Sequence, residues 1–469
     1  MSPLFEVKDI LRATDAVLEG GPEENVFKGV SIDSRKIGPG ELFWAIKGER
    51  FDGSSFIMEA AERGASGVVS EKGIANIPLS GDIAKIKVGS SLEALHRLAA
   101  YNRKRHAVPL VAITGSNGKT TTKEILASIL KKRFEVLKNE GNLNNLIGVP
   151  LTLLKLHSDH EVAVVEMGMN SRGEISQLTK MAMPDIGVIT NIGEAHLEGL
   201  GSLENVKRAK GELLEAMKEE GTVVLNADDS AVMELALQAK SDVVTFGFSG
   251  KANVRASDAE VDWGKGTLFS LSAGDETLPV LLPLYGMHQL YNALAAAAVA
   301  YSMGFKLAEI REALEEFEAC SGRMEIISRG GITIINDSYN ANPSSVRSAI
   351  EAMICSLEAR KIAVIGDMLE MGEDEERIHF ELGRFIAEKG MDILFTLGSL
   401  ARNVAAGAAD AGMDAANIFS FDDRKELGKR LIAEARERDL ILIKGSRGMR
   451  MEDVTVALKD ELKRPGEED

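Results

Sequence analysis

The apolar positions of this chain fall into short continuous runs that end in polar or glycine-rich residues. From Leu110 the order repeats as apolar run, loop and helical spacing: LVAIT leads into GSNGKTT and then TKEILASILKK. VAVVEMG, DIGVITNIG and TVVLNADD follow, and an Ala-rich helix is predicted around 288–303. Apolar runs without alternation predict strands buried on both faces, hence a mostly parallel sheet covered by helices. Near Gly322 a second such unit starts, with ITIINDSYN, KIAVIGDM, DILFTLG and LILIKGSRG as its strands. Before Leu110, the strand-like runs GELFWAIKG, GASGVVS and IAKIKV mix with helical SSLEALHRLAAYNRKRH. Pro109 follows that basic stretch and precedes a new strand, which marks a boundary. The expected architecture is α/β in three domains: a small mixed α/β domain (1–106), a central, mostly parallel sheet (107–321) and a C-terminal Rossmann-like domain (322–469). The tail KRPGEED is polar and expected to fray.

Length and charge narrow the class. The 469 residues suit about three domains. Hydrophobic residues at 45% are too many for a disordered chain. The 72 acidic against 55 basic residues leave a net charge of −17, which argues against nucleic acid or an anionic membrane as general partners. The cysteines Cys320 and Cys355 cannot build a disulfide framework or a four-Cys zinc site, and a reducing compartment is expected. MSPLFEVKDILRATDAVLEGG lacks the basic and apolar regions of a signal peptide. No apolar run approaches about 18 residues, so no membrane insertion is expected, and ALAAAAVAYSM reads as a buried helix. Together these readings predict a soluble cytoplasmic protein.

Candidate chemistry gathers at strand ends, where ligands of such sheets collect. The segment Thr114-Gly115-Ser116-Asn117-Gly118-Lys119-Thr120-Thr121 follows a strand and opens a helix. Its glycines let backbone N–H groups point at phosphate oxygens, and the helix N-terminus adds positive potential. Lys119 would reach the β/γ-phosphates and Thr120 would ligate Mg²⁺, which makes the central domain P-loop ATPase-like. Ile113 stands where the general motif has its first glycine, so the loop is a shortened form. The bland alternative is a Gly-rich turn carrying a chance lysine. Glu166 ends VAVVE, either as an exposed strand-end acid or as an oxygen ligand for Mg²⁺. His196 lies in the loop after DIGVIT and taken alone reads as structural or solvated. In SLENVKRAKGELLEAM, with Ser202 as candidate N-cap, the apolar stripe runs Leu203, Val206, Leu213 and Met217, and Lys210 sits on it. A lysine there is either snorkelling along its stem or paired or modified.

These residues resemble the Mur ligase family across nearly the whole chain. TGSNGKTTTKE, GNLNNLIGVPLTLLKL, VVEMGMNSRGEI and TNIGEAHLEGLGSLENVKRAKGEL look like its central domain. GMHQLYNALAA, SGRMEII, NDSYNANPSS and GDMLEMGE complete the pattern, and SIDSRKIGPGELFWAIKGERFDGSSFI resembles a first domain of the branch acting late in peptidoglycan-precursor synthesis. The resemblance implies a cytoplasmic ATP-dependent ligase, working as a monomer, that joins D-alanyl-D-alanine to UDP-N-acetylmuramoyl-tripeptide through an acyl phosphate. It implies that Gly115 to Thr121 cradle ATP, that Thr120 and Glu166 hold one Mg²⁺, and that His196 and a carbamylated Lys210 help hold a second. His288 and Asn292 match residues near adenine; the alternative is the polar start of a packing helix. Arg323 and Asp337 match residues closing over phosphates and ribose; the alternative is an interdomain surface pair. Ser34 and Arg35 would meet the uridine diphosphate end, and Asn142 and Asn145 would line the path to sugar and peptide; the alternatives are plain turns. Lys444 either faces the active site or is solvated, and both cysteines are expected to be buried. Tyr339 stands where a related branch carries a lysine. Two rival functions remain: the preceding ligase, which adds a diamino acid and usually carries a DNPR-like motif not found here, and a regulatory P-loop NTPase.

Overall fold

The computed structural model describes residues 5–48, 51–194, 197–354, 356 and 360–462. Three main sheets carry the molecule. The first has five strands in the order Val17–Gly20, Ala84–Lys87, Gly67–Ser70, Leu42–Trp44 and Val30–Ser31, antiparallel only at the first pair. Helix Ser91–Arg105, capped by the Ser90 side chain, leads from it toward the central sheet. Arg103 fixes that passage. Its Nε donates to Ala182 O (2.9 Å) and its Nη2 to Asp185, whose carboxylate also accepts from Leu110 N–H (2.8 Å).

The central sheet has nine strands. Six parallel ones run Asp242–Gly247, Thr222–Asn226, Ile186–Ile189, Leu110–Thr114, Val162–Glu166 and Val136–Lys138. Val254–Asp262 continues it in parallel, and Gly266–Ala273 and Glu276–Leu282 add an antiparallel meander. The apolar-run reading misses this meander because its strands alternate. Val254 and Ala256 are buried while Arg255 and Ser257 are exposed, as in a sheet with one wet face. The third sheet runs Glu325–Arg329, Ile332–Asn336, Leu440–Lys444, Lys361–Gly366, Ile393–Leu397 and Ile418–Phe421, with only the first strand antiparallel.

The cores run across these sheets. Phe5, Trp44 and Leu95 share one apolar cluster with Leu110, Val165 and Leu178. On the other side, Trp263 stacks on Tyr285 (centroids 4.8 Å apart), and both pack with Ala341, Val346 and Ile350 of the third unit. The Ala-rich helix, Met287–Ser302, is buried along nearly its full length against the loop helix Lys119–Leu130. Two expectations need correction. Leu203 is 45% exposed and does not belong to the buried stripe, because it occupies the first turn just after the Ser202 cap, whereas Val206, Lys210 and Leu213 lie beneath. Cys320 is partly exposed rather than buried; Cys355 lies outside the described residues.

Candidate active site

The carboxyl ends of the central and third sheets face each other across a cleft of about 890 Å³. The phosphate loop forms one wall. Gly115 and Gly118 both have positive φ, +148° and +81°. A Cβ on Gly118 would lie 2.0 Å from Asn292 Oδ1, and one on Gly115 would lie 1.9 Å from Thr190 Oγ1. The loop is thus pressed against Asn292 and Thr190, and only glycine fits at either place. Asn292 itself is buried and donates to Gln289 Oε1 (3.1 Å). Asn117 is held on its own side by its N–H to Asn191 Oδ1 (2.9 Å), while its side chain crosses the cleft. Its Nδ2 donates to Ser344 Oγ and its Oδ1 accepts from Asn342 Nδ2, each at 2.7 Å.

The lysines of the site sit in low-dielectric surroundings. Lys119 Nζ folds back onto Gly115 O (2.7 Å) and Ser116 O (3.1 Å), and desolvation lowers its pKa against the opposing pull of Glu166. Lys210 is 1% exposed and donates to Gly115 O (2.9 Å). Burial, with Lys119 close by, drives its pKa well below that of an ordinary lysine. A lowered pKa favours the neutral amine, which is the form that reacts with carbon dioxide.

Thr120 and Glu166 meet at the mouth of the loop. The Thr120 hydroxyl donates to Glu166 Oε2 (2.7 Å) and accepts from Arg323 Nη2 (2.9 Å). These are hard oxygen donors, one from the first turn of the loop helix Lys119–Leu130 and one from the end of the strand Val162–Glu166. Their separation is within about 0.3 Å of the edge of about 3.0 Å expected of an octahedron with Mg–O bonds of about 2.1 Å, so the pair fits Mg²⁺. Among the described residues no group of three or more His, Cys, Asp or Glu could hold a metal by itself. His196 lies outside the described residues.

Behind Glu166 stands a support that the sequence reading missed. Asn144 Nδ2 donates to Glu166 Oε1 (2.7 Å). The fully buried Asn139 brackets the Glu166 backbone, accepting from its N–H (2.9 Å) and donating to its carbonyl (3.0 Å). Lys123, also fully buried, donates to Asn139 O (2.7 Å) and lies 3.2 Å from Glu124 and 3.9 Å from Glu166. No spacing rule flags these residues, since each stands in a polar stretch, Asn139 and Asn144 in KNEGNLNN and Lys123 in KTTTKE, where one more polar side chain carries no signal.

The third sheet supplies Asp337, Lys444 and Arg447 to the cleft. Lys444 is 3% exposed and donates to Asp337 Oδ2 (2.5 Å) and Asn340 O (2.9 Å), so the solvated alternative is excluded. Arg323 lies over the Tyr339 ring (4.0 Å) rather than beside a lysine. His288 also lines the cleft. Its Nδ1 is buried with no hydrogen-bond partner among the described residues, and burial lowers its pKa to about 4. Tyr291, whose hydroxyl donates to Asp228 (2.9 Å), and Phe248, edge-on to it, form an aromatic shelf that the sequence did not advertise.

The first-domain candidates fare differently. Ser34 and Arg35 do not line this cleft. Ser34 Oγ donates to Glu59 (2.7 Å), and the exposed Arg35 forks onto Asp33 at 2.9 Å, holding that acid down to about 2. Asn142 and Asn145 do line it, although Asn145 Oδ1 is occupied by the N–H groups of Ile147 and Gly148. Among the described residues no helix is long and apolar enough to cross a membrane.

Known proteins share this arrangement. A model of the Mur ligase middle domain matches residues 113–300, one of the Mur ligase glutamate ligase domain matches 322–447, and one of the Mur ligase family catalytic domain matches 26–103. The chain is 36% identical over 446 residues to UDP-N-acetylmuramoyl-tripeptide–D-alanyl-D-alanine ligase of Bacillus subtilis, covering 94% of this chain and 95% of that one. The crystal structure of MurF from Acinetobacter baumannii superposes with a TM-score of 0.89 at 32% identity, over 98% of this chain and 100% of that one. MurF from Thermotoga maritima, in complex with ADP, gives 0.82 at 30% identity, over 92% and 97%. Sequence, family models and fold agree along the chain in the same order, and it belongs to the Mur ligase family.

Proposed function

We propose that this chain is the ATP-dependent ligase that joins D-alanyl-D-alanine to UDP-N-acetylmuramoyl-tripeptide, releasing ADP and phosphate. The observation that carries this reading is the Thr120 hydroxyl, which bonds Glu166 of the central sheet and Arg323 of the third unit at once. A phosphate loop, an oxygen pair suited to Mg²⁺ and an arginine from the facing unit then converge where a γ-phosphate would lie.

The reaction has two steps. The carboxylate ending the tripeptide attacks the γ-phosphorus, giving an acyl phosphate and ADP. The dipeptide amine then attacks the acyl carbon, and phosphate leaves. The loop N–H groups and Lys119 hold the polyphosphate, Lys119 turning from the Gly115 and Ser116 carbonyls toward it. Arg323 adds positive charge from the opposite wall, and closure of the cleft excludes the water that would hydrolyse the acyl phosphate. Thr120 and Glu166 would hold Mg²⁺, with His196 and Lys210 as ligands of a second ion. Bound there, Mg²⁺ offsets the repulsion between an anionic nucleophile and ATP. We assign Lys210 as carbamylated, which turns a costly buried amine into an oxygen-bearing anion. His288 and Asn292 flank the nucleotide, and Asp337 its ribose side. Ser34 and Arg35 meet the uridine diphosphate, with Asn142 and Asn145 along the path to the peptide. In this reading residues 1–106 take the UDP end, 107–321 bind ATP, and 322–469 receive the dipeptide and close. The enzyme works as a cytoplasmic monomer.

The test is phosphate release with ATP and each substrate alone and together. Release that requires both UDP-N-acetylmuramoyl-tripeptide and D-alanyl-D-alanine is expected. Release on ATP alone, unaffected by either, refutes the ligase. Release with the dipeptide-stage nucleotide and a diamino acid refutes the assignment of step.

A further inference from the structure

We infer that Arg447 is the anchor for the terminal carboxylate of the incoming dipeptide, an assignment that rests on the reading of the second substrate given above. Among the described residues the cleft is lined by the cations Lys119, Arg323, Lys444 and Arg447. Three are committed elsewhere. Lys119 belongs to the phosphate loop, Arg323 reaches Thr120 (2.9 Å), and Lys444 is sealed against Asp337 and the Asn340 carbonyl. Arg447 differs in both exposure and partner. Its Nη1 donates to Glu452 Oε1 (3.0 Å), but 60% of the side chain is exposed. An exposed pair of this kind contributes little net energy, so a substrate carboxylate can replace or share it.

The backbone beneath this exposed head is fixed. Arg447 N–H meets Asn340 Oδ1 (3.3 Å), Ser446 N–H meets Asp367 O (3.0 Å), and Ser446 Oγ accepts from Leu369 N–H (2.8 Å). The loop follows the central strand of the third sheet, at its carboxyl end, where parallel sheets place ligands. Tyr339 then sets the spacing. Arg323 lies 4.0 Å and Arg447 5.4 Å from its ring centre, so the two guanidinium carbons are less than about 10 Å apart. Arg323 sits at the phosphoryl end. An extended dipeptide spans about 7 Å, which carries its carboxylate from that end to Arg447. The planar guanidinium fork matches a carboxylate in a way that a lysine would not.

The experiment measures phosphate release by the full-length enzyme at saturating ATP and UDP-N-acetylmuramoyl-tripeptide, varying D-alanyl-D-alanine or its carboxylate-free analogue D-alanyl-D-alaninol. The wild type is expected to favour the acid by about 10- to 100-fold in kcat/KM, the size of one charge-assisted hydrogen-bonding site. Arg447→Gln is expected to raise KM for the acid by a similar factor, leave KM for ATP and the nucleotide peptide near wild type, and use acid and alcohol within about 3-fold of each other. Arg447→Lys should restore part of the preference. The acid-to-alcohol ratio is internal to each variant, so a fall in folded fraction does not move it. A variant that keeps the wild-type ratio overturns the assignment, as does a rise confined to KM for ATP or the nucleotide peptide. A wild type that releases no phosphate with the dipeptide present instead overturns the ligase reading on which the assignment rests.

Discussion

Replacing Lys210 by methionine should make the protein more stable and inactive. The native amine is 1% exposed beside Lys119, and its pKa lies well below the usual lysine value. In the unfolded chain it titrates near 10.4. Below that pH the unfolded state binds a proton that the native state sheds, so this group makes stability rise with pH. The penalty is absent above about pH 10.4, grows by up to about 1.4 kcal/mol per pH unit as pH falls, and levels off below the native pKa. Methionine has nearly the same length, fills the same space and carries no such penalty. Melting curves of wild type and Lys210→Met, without nucleotide and in carbon-dioxide-free buffer, test this at pH 7.5 and 9.5. The variant should melt higher at pH 7.5, and the gap should shrink on raising the pH by roughly 1 °C for each kcal/mol recovered if the whole chain melts together, or roughly 2–4 °C if the central unit melts separately. Phosphate release should fall by about 100-fold or more, because the site loses a group that stabilises developing charge. A gap that does not change with pH, or a variant that melts lower throughout, refutes the argument that Lys210 is held deprotonated at a cost.

Other substitutions probe neighbouring features. Gly118→Ala should weaken ADP binding at least about 10-fold in calorimetry and cost about 1–3 kcal/mol of stability, since φ is +81° and the new Cβ meets Asn292 Oδ1 at 2.0 Å; near-wild-type binding would show that the loop can move away. Lys123→Met should cost about 3–5 kcal/mol in denaturant unfolding by stripping the buried cation from beside Glu124, Glu166 and the Asn139 carbonyl; a loss below about 1 kcal/mol would mean that Lys138, which also pairs with Glu124, and Asn144 suffice. His288 has a native pKa of about 4, against about 6.5 unfolded, so as pH falls through that window the unfolded state takes up the proton first. Wild type should lose up to about 3 kcal/mol there, and His288→Gln should lose that much less, as read from acid unfolding curves.

The parts of the fold that could be read from sequence were those with a continuous signal. LVAIT, VAVVE and LILIK are apolar without break because both faces are covered, and each became a buried parallel strand. The alternating strands between Val254 and Leu282 carry Arg255, Glu260 and Asp262 on a wet face, so their signal is diluted. Lys210 was legible because a charge on an apolar stripe is anomalous. Lys123 is equally buried yet went unnoticed, since a lysine four residues after the loop lysine reads as an ordinary helix surface. Asn144 was hidden among identical neighbours, and only the fold chose it over Asn142 and Asn145 as the partner of Glu166. Arg447 could not be singled out before the other cleft cations were seen to be occupied.

The stacked pair Trp263–Tyr285 bears on how new amide-forming specificities could be engineered. The sequence invites a cut near Gly322, just ahead of the sheet that would receive the amine. Yet Tyr285 and the hairpin carrying Trp263 lie upstream of that cut and complete the apolar core downstream of it. A chimera that took its last unit from a relative would leave this plug in a socket shaped for other side chains. Grafting should therefore carry Val261, Trp263 and Tyr285 along with the transplanted sheet, or redesign the socket residues Ala341, Val346 and Ile350 to receive them.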